Sequence, residues 1–220
     1  MTRKVVTRAP HREVGIVNPA WLLDHEVEHE SHLEKCFIMV ALSCPVVVDI
    51  VHQPLEIWLG PNETQKYTPD FQVTFRDGDS VIVEVKPDVF VQEHAERLNA
   101  AESQLRAGHQ KFLVATDKYI DANGLSARAM LLMRYGRLQF SDAEALMCQQ
   151  LLKDQCDGSA TVKALVEQGV SEELIWNLVA SHNFRIPAGL SIDPSETVSI
   201  NQPQGGCHDY FCTWFGITQG

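Results

Sequence analysis

The chain has no run of about twenty apolar residues, the length a membrane-crossing helix needs, and no basic start followed by an apolar stretch. Neither a membrane span nor a secretory leader is therefore expected, and the expectation is a protein of the cytoplasm. Cysteine is present without order. The six cysteines lie at 36, 44, 148, 156, 207 and 212 with no CxxC pair, which argues for free thiols against a disulfide framework. Cys207, His208 and Cys212 lack a fourth ligand at zinc spacing. There is no internal repeat. Basic residues are scarce as well: 18 Lys and Arg stand against 29 Asp and Glu, a formal charge of −11. Nucleic-acid binders are usually basic, so this balance speaks against unaided DNA binding.

The positive charge that exists is clustered. Residues 1–12 carry Arg3, Lys4, Arg8 and Arg12 with no acid, and residues 97–137 carry seven basic residues against three acids, +4 in each case. A local DNA-facing surface is compatible with this map, with weak affinity in the absence of divalent cations or a DNA-binding partner.

The hydrophobic patterning predicts an α/β protein. Residues 1–15 read as a flexible basic arm and 20–42 as a helix with Trp21, Leu22, Leu33, Phe37, Ile38 and Leu42 on its apolar face. A β-branched run over 44–59, broken by Pro54, reads as a bent strand or two short ones. Strands then follow around Phe71 and Val83, joined at Arg76-Asp77-Gly78-Asp79. A helix over 89–107 ending at Gly108 leads to a strand at 111–116, parallel to an earlier one because a helical crossover precedes it. After Asp117 the pattern turns helical: 125–136, 141–154, 159–168 and 171–182, then a hairpin over 185–200 and an aromatic, Gly-rich tail. Helices followed by a hairpin are a winged-helix-like order. The expectation is a mixed sheet flanked by helices over 1–118 and a mainly helical, winged-helix-like domain over 119–220.

The most informative feature is Asp70, followed fourteen residues later by Glu84-Val85-Lys86. Strand residues two apart share a face, so Glu84 and Lys86 project together while Val81, Val83 and Val85 point to the core. A turn centred on Gly78 puts Asp70 opposite Lys86; a strict two-residue Asp77-Gly78 turn faces it away. Two carboxylates on one face make an oxygen-rich seat for magnesium beside a phosphate, and a lysine there stabilises the charge that develops. The same pattern also fits an ion-paired, exposed sheet surface.

The segments Tyr67-Thr68-Pro69-Asp70-Phe71 and Val83-Glu84-Val85-Lys86-Pro87 resemble the PD-(D/E)xK restriction-endonuclease-like nucleases. With Ser31-His32-Leu33-Glu34 on a helix and His52-Gln53-Pro54 before the Asp70 segment, residues 20–118 resemble the TnsA family, endonuclease subunits of bacterial heteromeric transposases. The resemblance implies a restriction-endonuclease-like fold, a helix glutamate at Glu34, a metal-bridging Asp70, an acid at Glu84 and a catalytic Lys86. It also implies the Val85 carbonyl as a metal contact, and Mg²⁺ as cofactor with Mn²⁺ as substitute. The substrate it implies is DNA at transposon ends, cut on the 5′ strands in the bacterial cytoplasm. The partners it implies are a DDE-type transposase and a regulatory AAA+ ATPase. A free-standing repair or restriction nuclease and a non-catalytic assembly module are the alternatives.

His25-Glu26-Val27-Glu28-His29 also fits HExxH, a zinc-protease pattern if helical, but a polar, solvated helix start is the better account of it. Glu30 lies one turn before Glu34 and competes for its role. Trp176 sits at core spacing, Lys163 and Arg185 are thin support for a DNA-reading helix, and Tyr210, Phe211, Trp214 and Phe215 suit either packing on the body or docking on a partner.

Overall fold

The computed structural model describes residues 14–60, 65–155, 157–200 and 206–217. Most of the basic arm and Cys156 lie outside the described residues.

The region read as one helix over 20–42 divides. Strands β1 (Gly15–Val17) and β2 (Val27–His29) form an antiparallel pair, and helix α1 starts only at His32, running to Ser43. Val27 and His29 are buried and Glu28 between them is half-buried, the period of a strand. The helix begins where Ser31 caps it, its Oγ accepting the Glu34 N–H at 3.2 Å. Ser31-x-x-Glu34 ahead of an apolar run is the capping signal that locates this start. His25 and His29 therefore share no helix face; His25 instead contacts Asp49 at 2.7 Å.

The central sheet has the order β3-β6-β7-β8, with β3 (Val47–His52), β6 (Phe71–Phe75), β7 (Ser80–Val85) and β8 (Lys111–Ala115). The first three are antiparallel and β8 runs parallel to β7, as its helical crossover dictates. Pro54 separates β3 from β4 (Ile57–Leu59), which pairs with β5 (Gln65–Tyr67) in a hairpin outside the sheet. The crossover is two helices, α2 (Asp88–Val91) and α3 (Ala95–Ala107). At its end Gly108 is the cap but keeps negative φ, and His109 takes the left-handed position at φ 58°. Gln110 N–H bonds the Leu105 carbonyl at 2.9 Å, completing the wrap-around cap.

One face of the sheet, with Phe71, Val73, Val81 and Val83, buries against α1. The other supports a smaller cluster of Leu59, Tyr67, Ala101 and Phe112 under the β4–β5 hairpin and α3.

After β8 come α4 (Asp117–Ile120), α5 (Leu125–Tyr135), α6 (Asp142–Gln155), β9 (Ser159–Thr161), α7 (Val162–Glu167), α8 (Glu172–Ala180), β10 (Thr197–Ser199) and α9 (Cys207–Trp214). The segment read as a helix over 159–168 opens as β9. The expected 185–200 hairpin is reduced to one bridge, Arg185 to Ser199, because β10 pairs with β9 instead. The aromatic tail packs on the body: Phe215 stacks on Phe37 at 5.6 Å, Phe211 lies 5.2 Å from Phe75, and Trp214 Nε1 donates to Ser43 Oγ at 3.2 Å. Trp176 is fully buried and Arg185 is 6 % exposed, so neither presents a surface to DNA. Among the described residues no helix is long and apolar enough to cross a membrane.

Candidate active site

The β6–β7 turn sets the geometry. Phe71 pairs with Val83 and Thr74 with Ser80, leaving Arg76-Asp77-Gly78 as a three-residue loop between Phe75 and Asp79. Gly78 N–H bonds the Phe75 carbonyl at 2.9 Å, and Gly78 has φ 85°, the left-handed residue that a type I turn with a bulge requires. The loop has the odd length that the chemistry needs, but its centre is Asp77. One step beyond the Phe71–Val83 pair, Asp70 therefore comes opposite Glu84, not opposite Lys86.

Asp70 sits just before β6 and uses both its main chain and its side chain. Its carbonyl accepts the Gln53 N–H at 2.7 Å, and its Oδ2 accepts the Val85 N–H at 2.7 Å. The carboxylate thus takes the ladder position that the strand has vacated. Glu84, 8 % exposed, accepts from the Tyr67 hydroxyl at 2.7 Å and stands 3.4 Å from Lys86 Nζ. Glu34, also 8 % exposed, accepts from the Ser31 hydroxyl at 2.9 Å and from the Glu30 N–H at 2.6 Å. Glu30 itself is turned toward Gln53, whose Nε2 it accepts at 2.9 Å. Of the two competing glutamates, Glu34 is the one whose charge acts on Asp70.

The electrostatics tie the acids together. Desolvation, then the carboxylates of Glu84 and Glu34, push Asp70 well above the usual carboxylate range, against the Val85 N–H and Lys86. Burial raises Glu34 as well, followed by repulsion from Glu30 and Glu84, with the Glu30 and Ser31 hydrogen bonds opposing. Nearby, His52 lies against Phe71 at 5.5 Å, its Nε2 buried without a hydrogen-bond partner among the described residues. Burial lowers its pKa.

A cation is the natural relief for carboxylates that repel one another. Among the described residues, however, no group of three or more His, Cys, Asp or Glu side chains is placed to hold a metal ion as it stands. Cys207, His208 and Cys212 form no such group among the described residues. Asp70 and Glu84 stand as neighbouring carboxylates, facing across the end of the β6–β7 ladder.

Tyr67 and Arg97 enter the site without a sequence argument for them. Tyr67 lies in the motif ahead of Asp70, but β5 is outside the main sheet, so strand alternation gives no sign that its hydroxyl reaches Glu84.

A mixed sheet flanked by helices, with acids and a lysine gathered where β6 and β7 part, is compatible with a nuclease-like fold. Residues 44–117, about a third of the chain, match the family model described as TnsA-like endonuclease N terminal, so this segment is similar to that family. The matched segment includes Asp70, Glu84 and Lys86 and stops short of Glu34. No curated protein matches the chain.

Proposed function

We propose that the chain is a metal-dependent DNA endonuclease that cleaves the 5′ strands at transposon ends, working with a DDE-type transposase that cuts and joins the 3′ strands. The observation that carries this reading is the meeting of Asp70 and Glu84 beside Lys86, inside a segment similar to TnsA-like endonucleases, with the charge of Glu34 reaching them from the helix before it. Asp70, Glu84 and the Val85 carbonyl would hold Mg²⁺. When bound, the ion supplies charge neutralisation at the phosphate and an acidified water.

The chain's own groups do the rest. Lys86 places its amine beside Glu84, where it meets the developing charge of the attacked phosphate. Glu34, fixed by Ser31 and Glu30, adds an acceptor that orients the water. The Val85 N–H holds Asp70 in a single rotamer, so the carboxylate is arranged before substrate arrives.

The chain after Asp117 reads as a winged-helix-like module. Its order of α6, β9, α7, α8, the bridge at Arg185 and β10 supports this reading, with docking to transposition partners, a regulatory AAA+ ATPase among them, as its role.

The test is nicking of a supercoiled plasmid bearing transposon ends, with the partner transposase and Mg²⁺ present. Asp70→Ala and Lys86→Ala are expected to lose at least about 100-fold in 5′-strand cleavage, the scale of removing one charge-stabilising group. Variants that cut at the normal rate sink the proposal.

A further inference from the structure

The two oxygens of Glu84 have different surroundings. Oε2 accepts from the Tyr67 hydroxyl at 2.7 Å, and Tyr67 is 3 % exposed. Oε1 faces the Lys86 side, 3.4 Å from its Nζ. A carboxylate tied at one oxygen cannot swing freely, so any cation it receives meets Oε1.

Tyr67 is itself braced. It ends β5, pairs with Ile57 across the hairpin, and packs with Leu59 and Ala101 in the small cluster under α3. From α3, Arg97 lays its guanidinium over the Tyr67 ring at 5.1 Å and donates to the neighbouring Lys66 carbonyl at 3.3 Å. The β4–β5 hairpin contributes no strand to the central sheet. Among the described residues, it is this hydroxyl that joins the hairpin to the acid cluster.

We infer that Tyr67, braced by Arg97, is a positioning residue that orients Glu84 so that Oε1 is presented to a divalent cation. The inference rests on the metal-dependent reading proposed above. Partners that orient a metal ligand typically contribute 10–100-fold in metal affinity when removed.

The experiment is Mn²⁺ binding to the full chain without DNA, followed by electron paramagnetic resonance or calorimetry. Tyr67→Phe keeps the ring and its packing and removes only the donor; it is expected to weaken Mn²⁺ binding by about 10–100-fold. Cleavage by the same variant is expected to need more Mn²⁺ and to return to within a few-fold of the unaltered chain at saturation, a split that a merely structural lesion does not produce. Arg97→Met should shift Mn²⁺ affinity in the same direction by a smaller factor. Undiminished affinity in a folded Tyr67→Phe overturns the inference; if that variant does not fold, undiminished affinity in Arg97→Met does so. A different failure belongs to the underlying reading: an unaltered chain that binds no Mn²⁺, or a Glu84→Gln that binds it equally well, removes the metal seat itself.

Discussion

At neutral pH the carboxylate of Asp70 stands against those of Glu84 and Glu34, and the Val85 N–H and Lys86 offset this in part. The folded chain therefore holds this proton to higher pH than the unfolded chain does. Between the ordinary aspartate value of 3.8 and the raised folded value, the native state binds more protons. Stability accordingly falls as pH rises through that window, and the deficit is complete above it; Glu34 adds a term of the same sign. Asp70→Asn keeps the shape and removes the charge. In chelator at pH 7 it is expected to raise Tm by roughly 2–4 °C, what about 1 kcal/mol gives in a chain of this size. The gain should shrink toward pH 4, and added Mn²⁺ should raise Tm for the unaltered chain only. Thermal scans in the two buffers check this, and an unchanged or lowered Tm at pH 7 counts against it. At this scale the sequence was informative about charge and face. Glu84 and Lys86 share a face by simple alternation, whereas Asp70 needed the turn length, and Tyr67 acts from a strand that the alternation of the main sheet does not reach.

Among the elements, those with strong local signals stand where the pattern put them. β6, β7 and β8 follow β-branched runs bounded by Gly78 and Gly108, and the parallel pairing of β8 follows from its crossover. The apolar spacing predicts an earlier start for α1 because Trp21 and Leu22 extend it by accident; they lie in the turn after Pro19, whose carbonyl accepts the Leu22 N–H at 2.7 Å. Trp21 packs instead against the end of α5. A Cβ on Gly136 would meet the Trp21 ring at 2.3 Å, and Trp21 Nε1 is already committed to the Ala180 carbonyl at 3.3 Å. Gly136→Ala should thus cost about 1–3 kcal/mol through overpacking. Urea denaturation followed by circular dichroism measures it, and a midpoint equal to that of the unaltered chain contradicts the close approach.

Taken as a whole, the described core is continuous across residue 118. Phe37, Leu42, Ala129, Leu132, Trp176 and Phe215 belong to one cluster with the sheet residues Phe71 and Val83. Polar contacts cross the same line: His182 Nε2 donates to the Leu42 carbonyl at 2.8 Å, and Trp214 reaches Ser43. Sequence periodicity registers the change of element type near residue 118; it does not register which helices cover α1. A chain ending at residue 118 would bare the α5, α8 and α9 side of α1. It is expected to lose the cooperative thermal transition and to bind a hydrophobic dye, where the full chain does neither. A sharp transition in the truncated chain would falsify this.

Helix α1 carries Glu34 in its first turn and Ser43 at its last residue, about 18 Å of rigid backbone in total. That arrangement bears on how such chains diversify. The segment that matches the family model, 44–117, is not an interchangeable part, because the helix that carries Glu34 is seated on residues from the far end of the chain. Relatives that trade their C-terminal halves by recombination must trade the outer side of α1 in the same event, or inherit aromatic side chains with no counterpart. Co-inheritance of α1 with α8 and α9 is therefore the pattern to look for when such chimaeras are built and sorted for those that fold.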